Sequence, residues 1–546
     1  MFRMLSTSAV ALIVAAAPVL AEVTPVQVWD SLIQSYREMG YTITEGSRDE
    51  AGDTLTVNNI VMEIAPAPMP ATPNAPNEPS PDKLTLNLPR AVLSRTGDGN
   101  VRTVFEGEWT GGLDATLPDG SRGTPMTLSV AMPGNEMVTS GTPEAMNHAL
   151  NYPEMTARLV LRDDKGTEIP VDLVMSDTKG RYDFNTTAGA GTSTDYDLTT
   201  ARMTVNLDVD VPTSEDQPGG AFKGQVAMND VGMTGKMSMP AGDHNMGEDM
   251  NAAVKAGADI SGTFAIAGYD GTFEFAGQGE DGADQSGNAT FSGGKADLAV
   301  EVNAQGLRYS GSAGDGKFNI VASSMPFPIS YALGNQSFDI RLPLMQGDAA
   351  QPFNVKFALT GLTLGDEIWG LFDQTAQLPR DPADLTIDVS GDMLVTRDLL
   401  DQEFNQRMAA ASIPAEGTTE LTAEQEAELE RLQAEALPFQ PTRLAINDVT
   451  LNAVGAHANL KGELTAPPGG SLEEQPVGTI EGSFTGVNTL IDRLASIGLI
   501  PQDQVAGMRM MLMVFAKPVE GQQDAMTTHI ELREDGSIFA NGQQMQ

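Results

Sequence analysis

Leu444–Leu464 reads LAINDVTLNAVGAHANLKGEL, and this stretch decides how the chain is understood. Leu444 and Ile446, then Val449, Leu451 and Ala453, are spaced for a strand with one apolar face. The pair Asn447-Asp448 interrupts the alternation. After Gly455, Ala456, Ala458 and Leu460 begin a second strand that runs to Gly462. The phrase occurs twice more, as Leu55-Thr-Val-Asn-Asn-Ile-Val-Met and Val226-Ala-Met-Asn-Asp-Val-Gly-Met. Asn and Asp tolerate unusual backbone angles and bond their own backbone. Each pair is therefore expected to form a bulge that bends its strand and raises its twist.

Working outward, the same grammar fills the chain from Val101 to Met345. Apolar and polar residues alternate for several positions, then Gly, Asp, Asn or Pro breaks the run. Met126–Met132, Ala157–Arg162, Met203–Val211 and Gly271–Phe275 are examples, and Asp270-Gly271 and Asp281-Gly282 read as turns. Helical spacing is nearly absent here, with Pro143–Leu150 the one exception. No linker falls between residues 100 and 345. The expected fold is mainly β: one long, twisted or curved antiparallel sheet, with a few helices near the N-terminus and in the C-terminal third.

The helices carry their own signals. Thr24, Pro25 and Gln27 open a helix to Met39 with a capping box, and Gly40 stops it. Segments 396–437 and 488–515 read as helical. Thr422 with Gln425 caps a Glu-rich, solvent-facing helix with a thin Leu429, Leu432, Ala436 stripe. Asn488 is placed as a cap, and Pro501 opens a helix to Phe515 that is apolar nearly all round. Such a helix is expected to be buried. The sharper alternative makes its Met-rich surface a candidate apolar groove at Met508, Met511, Leu512 and Phe515. A hairpin turning at Asp535-Gly536 closes the chain, with Ile530 and Leu532 facing Ile538 and Ala540.

Residues 1–21 read as a secretory signal: Arg3, the apolar run Ala9–Ala17, and cleavage between Ala21 and Glu22. The run is too short to span a bilayer, and no later stretch is long enough. Residues 22–546 then form a single elongated β-rich domain, soluble in the periplasm. Residues 65–82 carry seven prolines and read as an exposed loop.

The chain holds 74 acidic and 32 basic residues, a net charge of −42. That field repels phosphate backbones, which argues against nucleic acid as a partner. There is no cysteine, hence no disulfide, lipidated cysteine or thiolate metal site. The four histidines His148, His244, His457 and His529 have no zinc-helix spacing. No nucleophile elbow or phosphate loop is present, and no cofactor is expected. The glycine-rich run 277–294 lacks the period of a calcium-binding repeat.

Several phrases resemble a family. They are Asp366–Asp373, Leu378–Leu385, Leu444–Gly455, Asn488–Pro501 and Gly536–Gln543. Together they are similar to a group of uncharacterised alphaproteobacterial exported proteins, a domain of unknown function. The resemblance is strongest from about residue 360 onward and implies periplasmic location. More distantly, the Leu-x-Ile-Asn-Asp-Val-x-Leu phrase is similar to strands of AsmA-like envelope proteins, whose curved sheets imply lipid handling. The leading expectation is a non-enzymatic envelope protein that binds lipid, another apolar ligand or an envelope protein. A hydrolase built on paired carboxylates and an inert assembly module are the alternatives.

Overall fold

A computed structural model describes residues 22–38, 40–64, 82–116, 121–162, 166–187, 191–211, 219–242, 249–278, 283–412, 421–434, 439–467, 472 and 475–545. Residues 1–21, the prolines of 65–81, Asp281-Gly282, His244 and Ala436 lie outside the described residues. Glu22 is described, and its carboxylate pairs with Arg95.

The chain begins α1 (Pro25–Glu38), β1 (Thr42–Ala51), β2 (Thr54–Ile64), β3 (Lys83–Arg95), β4 (Val101–Glu106), β5 (Trp109–Thr116), β6 (Arg122–Ala131). It continues β7 (Glu136–Thr142), β8 (Ala145–Arg162), β9 (Glu168–Thr187), β10 (Gly191–Val211), β11 (Gly220–Met239), α2 (Met250–Ala256), β12 (Asp259–Ile266). Then come β13 (Gly268–Gln278), β14 (Asp284–Gly293), β15 (Ala296–Asn303), β16 (Gly306–Ala322), β17 (Ile329–Leu342), β18 (Gln351–Leu364), α3 (Asp366–Phe372). Next are β19 (Ala383–Val395), α4 (Gln402–Ser412), α5 (Ala423–Ala434), β20 (Phe439–Ala453), β21 (Ala456–Thr465), β22 (Val477–Thr485). Last are α6 (Val487–Ser496), α7 (Gln502–Phe515), β23 (Lys517–Pro518), β24 (Ala525–Leu532), β25 (Ile538–Ala540) and β26 (Gln543–Gln544).

All strands join one 26-stranded antiparallel sheet. It is a meander in which neighbours in sequence are neighbours in space. In places two short strands run end to end and together match one long partner. β4 and β5 both pair with β3, and β6 and β7 with β8. Likewise β12 and β13 both pair with β11, and β14 and β15 with β16.

The breaks line up. Pairing of β1 with β2 skips Gly46 opposite Asn59, and pairing of β2 with β3 skips Asn59 opposite Pro89. The same gap recurs at Pro153 opposite Asp177, Asp177 opposite Ala201, and Ala201 opposite Asp230. It recurs again at Asp315 opposite Gly334. Gly361 then receives the Asp384 carboxylate on its N–H at 2.8 Å. Asn59, Asp177, Asp230 and Asp315 have φ near +50°, and Gly361 has φ +71°. Left-handed backbone suits Gly, Asn and Asp and is costly elsewhere. The result is a crease running from β1 to β18 that divides the long strands it crosses into two arms.

The crease has a packing consequence that β2 displays directly. Leu55 and Val57 are buried before Asn59, and Ile60 and Met62 after it. Strict alternation would send the two pairs to opposite faces. All four pack instead in one core with Val28, Trp29 and Ile33 of α1. The left-handed residue takes up one step of the alternation and keeps both arms' apolar side chains on one side.

The three repeats are not identical. Ladders are interrupted at Asn59 and Asp230 by a left-handed residue. Around Asn447-Asp448 the register shifts against both β19 and β21, a true bulge away from the crease. Asn447 there donates to Asp388 and to Ser390, each at 2.9 Å.

Other expectations fare unevenly. Both capping boxes are formed, Thr24 with Gln27 and Thr422 with Gln425. β2 contains the whole Leu55–Met62 phrase, and the last hairpin has the expected register. The helical reading of Pro143–Leu150 is wrong: residues 142 and 145 close a tight hairpin of β7 and β8. Met146 and His148 alternate into the core there, so neighbouring strands override local spacing. Asp270-Gly271 is no turn but lies inside β13. The helix expected from Thr396 starts only at Gln402. Asn488 does not cap α6: the Asp524 carboxylate accepts from the N–H groups of Asn488 and Thr489 at 3.0 and 2.8 Å.

Two stability predictions follow from these positions. Asn59→Gly should leave the urea midpoint nearly unchanged, whereas Asn59→Val should cost about 1–3 kcal/mol. Equal effects of the two would contradict a left-handed requirement. His148 is 1% exposed and its Nδ1 lies 2.8 Å from the Thr139 hydroxyl. Burial lowers its pKa from 6.5 to about 4. The unfolded chain therefore binds more protons between those values, and stability falls as pH drops through that window, by up to about 3 kcal/mol. Thermal melts of His148→Gln should lack that component of the pH slope; an unchanged slope would contradict it.

Candidate functional site

Residues directly opposite in an antiparallel ladder share a face. Following opposite partners across the first arm gives Met62, Leu86, Gly111, Leu128, Leu159, Val171, Leu207, Gly224, Phe273, Ala289, Ile320 and Ile329. Across the second arm the row from β9 runs Gly180, Leu198, Met233, Phe264, Leu298, Gly311, Phe338, Phe357, Ile387, Val449 and Leu460. Neither row contains a charged residue. The adjacent first-arm row on the other face reads Arg158, Asp172, Asn206, Gln225, Thr272, Thr290, Asn319 and Ser330. There Arg158 pairs with Asp172 at 3.1 Å and Gln225 donates to Asn206 at 2.8 Å. The sheet has one apolar and one polar face, the pattern of a surface with a single covered side.

Among the described residues, much of that apolar face has no covering layer. Leu161, Leu298, Val300, Tyr309, Tyr331, Phe357 and Leu451 all point to it and are all exposed. Among the described residues α1 contacts β1, β2 and β3 at one end and α6 contacts β21 at the other, while the short α3 stands beside β17 between them.

Between those ends aromatic rings pave the face. A Cβ added to Gly224 would fall 2.7 Å from the Phe273 ring, at Gly235 2.4 Å from Tyr196, and at Gly271 2.2 Å from Phe291. Gly287 lies under Phe275, Gly293 under Tyr269, Gly311 under Phe338 and Gly391 under Phe353. Each ring lies down on a glycine of the next strand. Rings then meet one another: Phe222–Phe273 at 5.6 Å, Phe273–Phe291 at 5.4 Å and Phe318–Tyr331 at 5.1 Å. The outcome is a smooth apolar floor.

The C-terminal helix departs from expectation. No residue of α7 is buried. Val505, Arg509 and Leu512 form its inner stripe and are half-buried, with Ala516 buried just beyond. Met508, Met511 and Phe515 are exposed, as are Met510 and Met513. Among the described residues the helix has a partner on one side only. Its end is held where the Phe515 carbonyl accepts from Thr528 and Asn541. Thr528 is opposite Gly482 on the apolar face, so α7 stands on the same side as that face.

The polar groups behave as structural ones. Asp398 joins α2 to the loop between β17 and β18 by accepting from Gln346 N–H, Asn251 and Lys255. Burial pushes its pKa up, but those bonds outweigh it and the net shift is down. Asp373 is fully buried and accepts from the N–H groups of Gln377 and Leu378 at 2.8 and 2.9 Å. Arg380 pairs with Asp366 at 2.6 Å and lies over the Trp369 ring. Among the described residues every carboxyl with a resolved shift is shifted down. His457 contacts Asn452, and His529 lies 3.5 Å from Glu481. Among the described residues no group of three metal-ligating side chains occurs.

Sequence reasoning named α7 and missed the paved face. Its signal was present in the alternation, but the glycine–aromatic register depends on pairings between distant strands.

No curated protein matches the chain. Among solved structures it is similar to the alcaligin outer membrane receptor FauA from Bordetella pertussis, at 10% identity over 81% of this chain and 70% of that one. The TM-score is 0.15, a likeness too slight to argue from. A family model described as an uncharacterised protein conserved in bacteria, DUF2125, matches residues 253–542, more than half of the sequence. The chain belongs to this family of uncharacterised bacterial proteins.

Proposed function

We propose that the protein is an exported, non-enzymatic component of the cell envelope that holds apolar chains of the acyl type against the uncovered face of its sheet. The supporting observation is the continuous, charge-free apolar face, much of which no second layer of the described residues covers between α1 and α6. Soluble proteins rarely leave apolar patches beyond a few hundred Å² uncovered unless something binds there. The opposite face, rich in ion pairs, and the net charge of −42 keep such a protein in solution.

Acyl chains suit the floor better than a partner helix. A helix docks by setting side-chain knobs into holes. The rings lying on Gly224, Gly271 and Gly311 fill the holes and leave a smooth surface. The reading places the protein in the periplasm, on the strength of Arg3, Ala9–Ala17 and the Ala21-Glu22 junction. Met508, Met511 and Phe515, exposed on α7 with Leu512 half-buried behind them, fit the same proposal as an apolar rim at the C-terminal end, because Met adapts to varied apolar surfaces.

The test is extraction of the protein purified from its native compartment, followed by mass spectrometry. A stoichiometric lipid or fatty acid is expected; a clean extract from folded protein would count against the proposal. In titrations with a fluorescent fatty acid, Phe357→Asp should weaken binding by about tenfold or more, since burying one such side chain is worth about 1.5–3 kcal/mol. Unchanged affinity would remove the face from the binding site.

A further inference from the structure

We infer that the apolar face is a container closed at both ends by the chain's own helices, not an open-ended conduit. This rests on the lipid-holding reading above and adds where the ligand lies.

At the N-terminal end α1 already occupies the position a ligand would take. Val28, Trp29 and Ile33 pack against both arms of β2 and β3. Tyr36, in its last turn, meets the Tyr41 ring edge-on at 5.9 Å. At the C-terminal end α6 does the same. Ile491 and Ala495 are buried, and the Asn488 amide reaches the Met526 sulfur at 3.8 Å. Met526 is 4% exposed and is opposite Phe484 on the apolar face.

Between the plugs lies the open stretch, from Leu161 on β8 to Leu451 on β20. At roughly 4.8 Å per strand row it is about 50 Å long. A bilayer core of about 30 Å holds two chains end to end, so one chain reaches about 15 Å and about three fit in line. Ligands must enter and leave across the open side, since both ends are filled by helix.

Photolabelling of the full mature chain tests this. The probe is a fatty acid with a diazirine at its methyl end, bound at saturation and mapped by peptide mass spectrometry. Labels are expected on β8–β20, on peptides carrying Phe273, Phe338 and Phe357. Peptides of β2, β3 and β24 should stay unlabelled. Labels continuing through Leu55–Met62 and Met526 would overturn the closed container while leaving lipid binding intact. Labels confined to one pair of strands would equally overturn it. No probe retained in native mass spectrometry would sink the lipid-holding reading, and the container with it.

Discussion

The structure depends on left-handed backbone residues set within β2, β9, β11, β16 and β18, each facing an ordinary residue or a pairing gap in the strand beside it. A strand's side chains alternate between faces, and a one-residue slip reverses every one. Asn59, Asp177, Asp230 and Asp315 each absorb such a slip at mid-strand. Without them, the apolar residues of the two arms would face opposite sides of the sheet. With them, Leu55, Val57, Ile60 and Met62 meet in one core. Because the breaks are adjacent from strand to strand, the effect belongs to the sheet as a whole. The residue types follow from the dihedral: Asn and Asp reach φ near +50° at modest cost, and glycine supplies the same at Gly361.

From that constraint the rest is built. One face collects apolar side chains and the other collects Asp, Asn, Thr, Lys and Arg. Two helices cover the ends of the apolar face. Glycines let aromatic rings lie flat across neighbouring strands, which spreads apolar area without depth. The Asp366–Asp373, Leu378–Pro379, Gly455 and α6 segments meet at one corner. Gln377 contacts Ser496 there, and Pro379 lies against Gly455. Those stretches carry the family resemblance, and what they build is a joint between α3, the β20–β21 turn and α6.

Much of this was legible in the sequence. The repeated Leu-x-Val-Asn-Asn-Ile-x-Met pattern shows the alternation slipping by one residue, and capping boxes marked α1 and α5. What was not legible depended on distant pairing. Asp270-Gly271 looks like a turn in isolation, but the Phe291 ring over Gly271 makes it strand. Asn488 looks like a cap, but Asp524, 36 residues later, supplies the bond. The Met-rich helix looks like core, yet among the described residues just Val505, Arg509 and Leu512 have half-buried side chains. The alignment of Asn59 with Asp177 and Asp315 emerges only once the registers are known.

The central claim is that the two faces differ in the solvent they see once a ligand is bound. The chain has no cysteine, so single spin labels can be placed without background. Tyr309 and Ser310 are adjacent on β16 and lie on opposite faces, as do Phe338 and Asp339 on β17. Labels at Tyr309 and Phe338 should be water-accessible in stripped protein. They should become inaccessible to a polar nickel relaxant, while open to oxygen, when a fatty acid is added. Labels at Ser310 and Asp339 should not change. Labels at Tyr309 and Phe338 already shielded before ligand, or unaffected by it, would contradict the account.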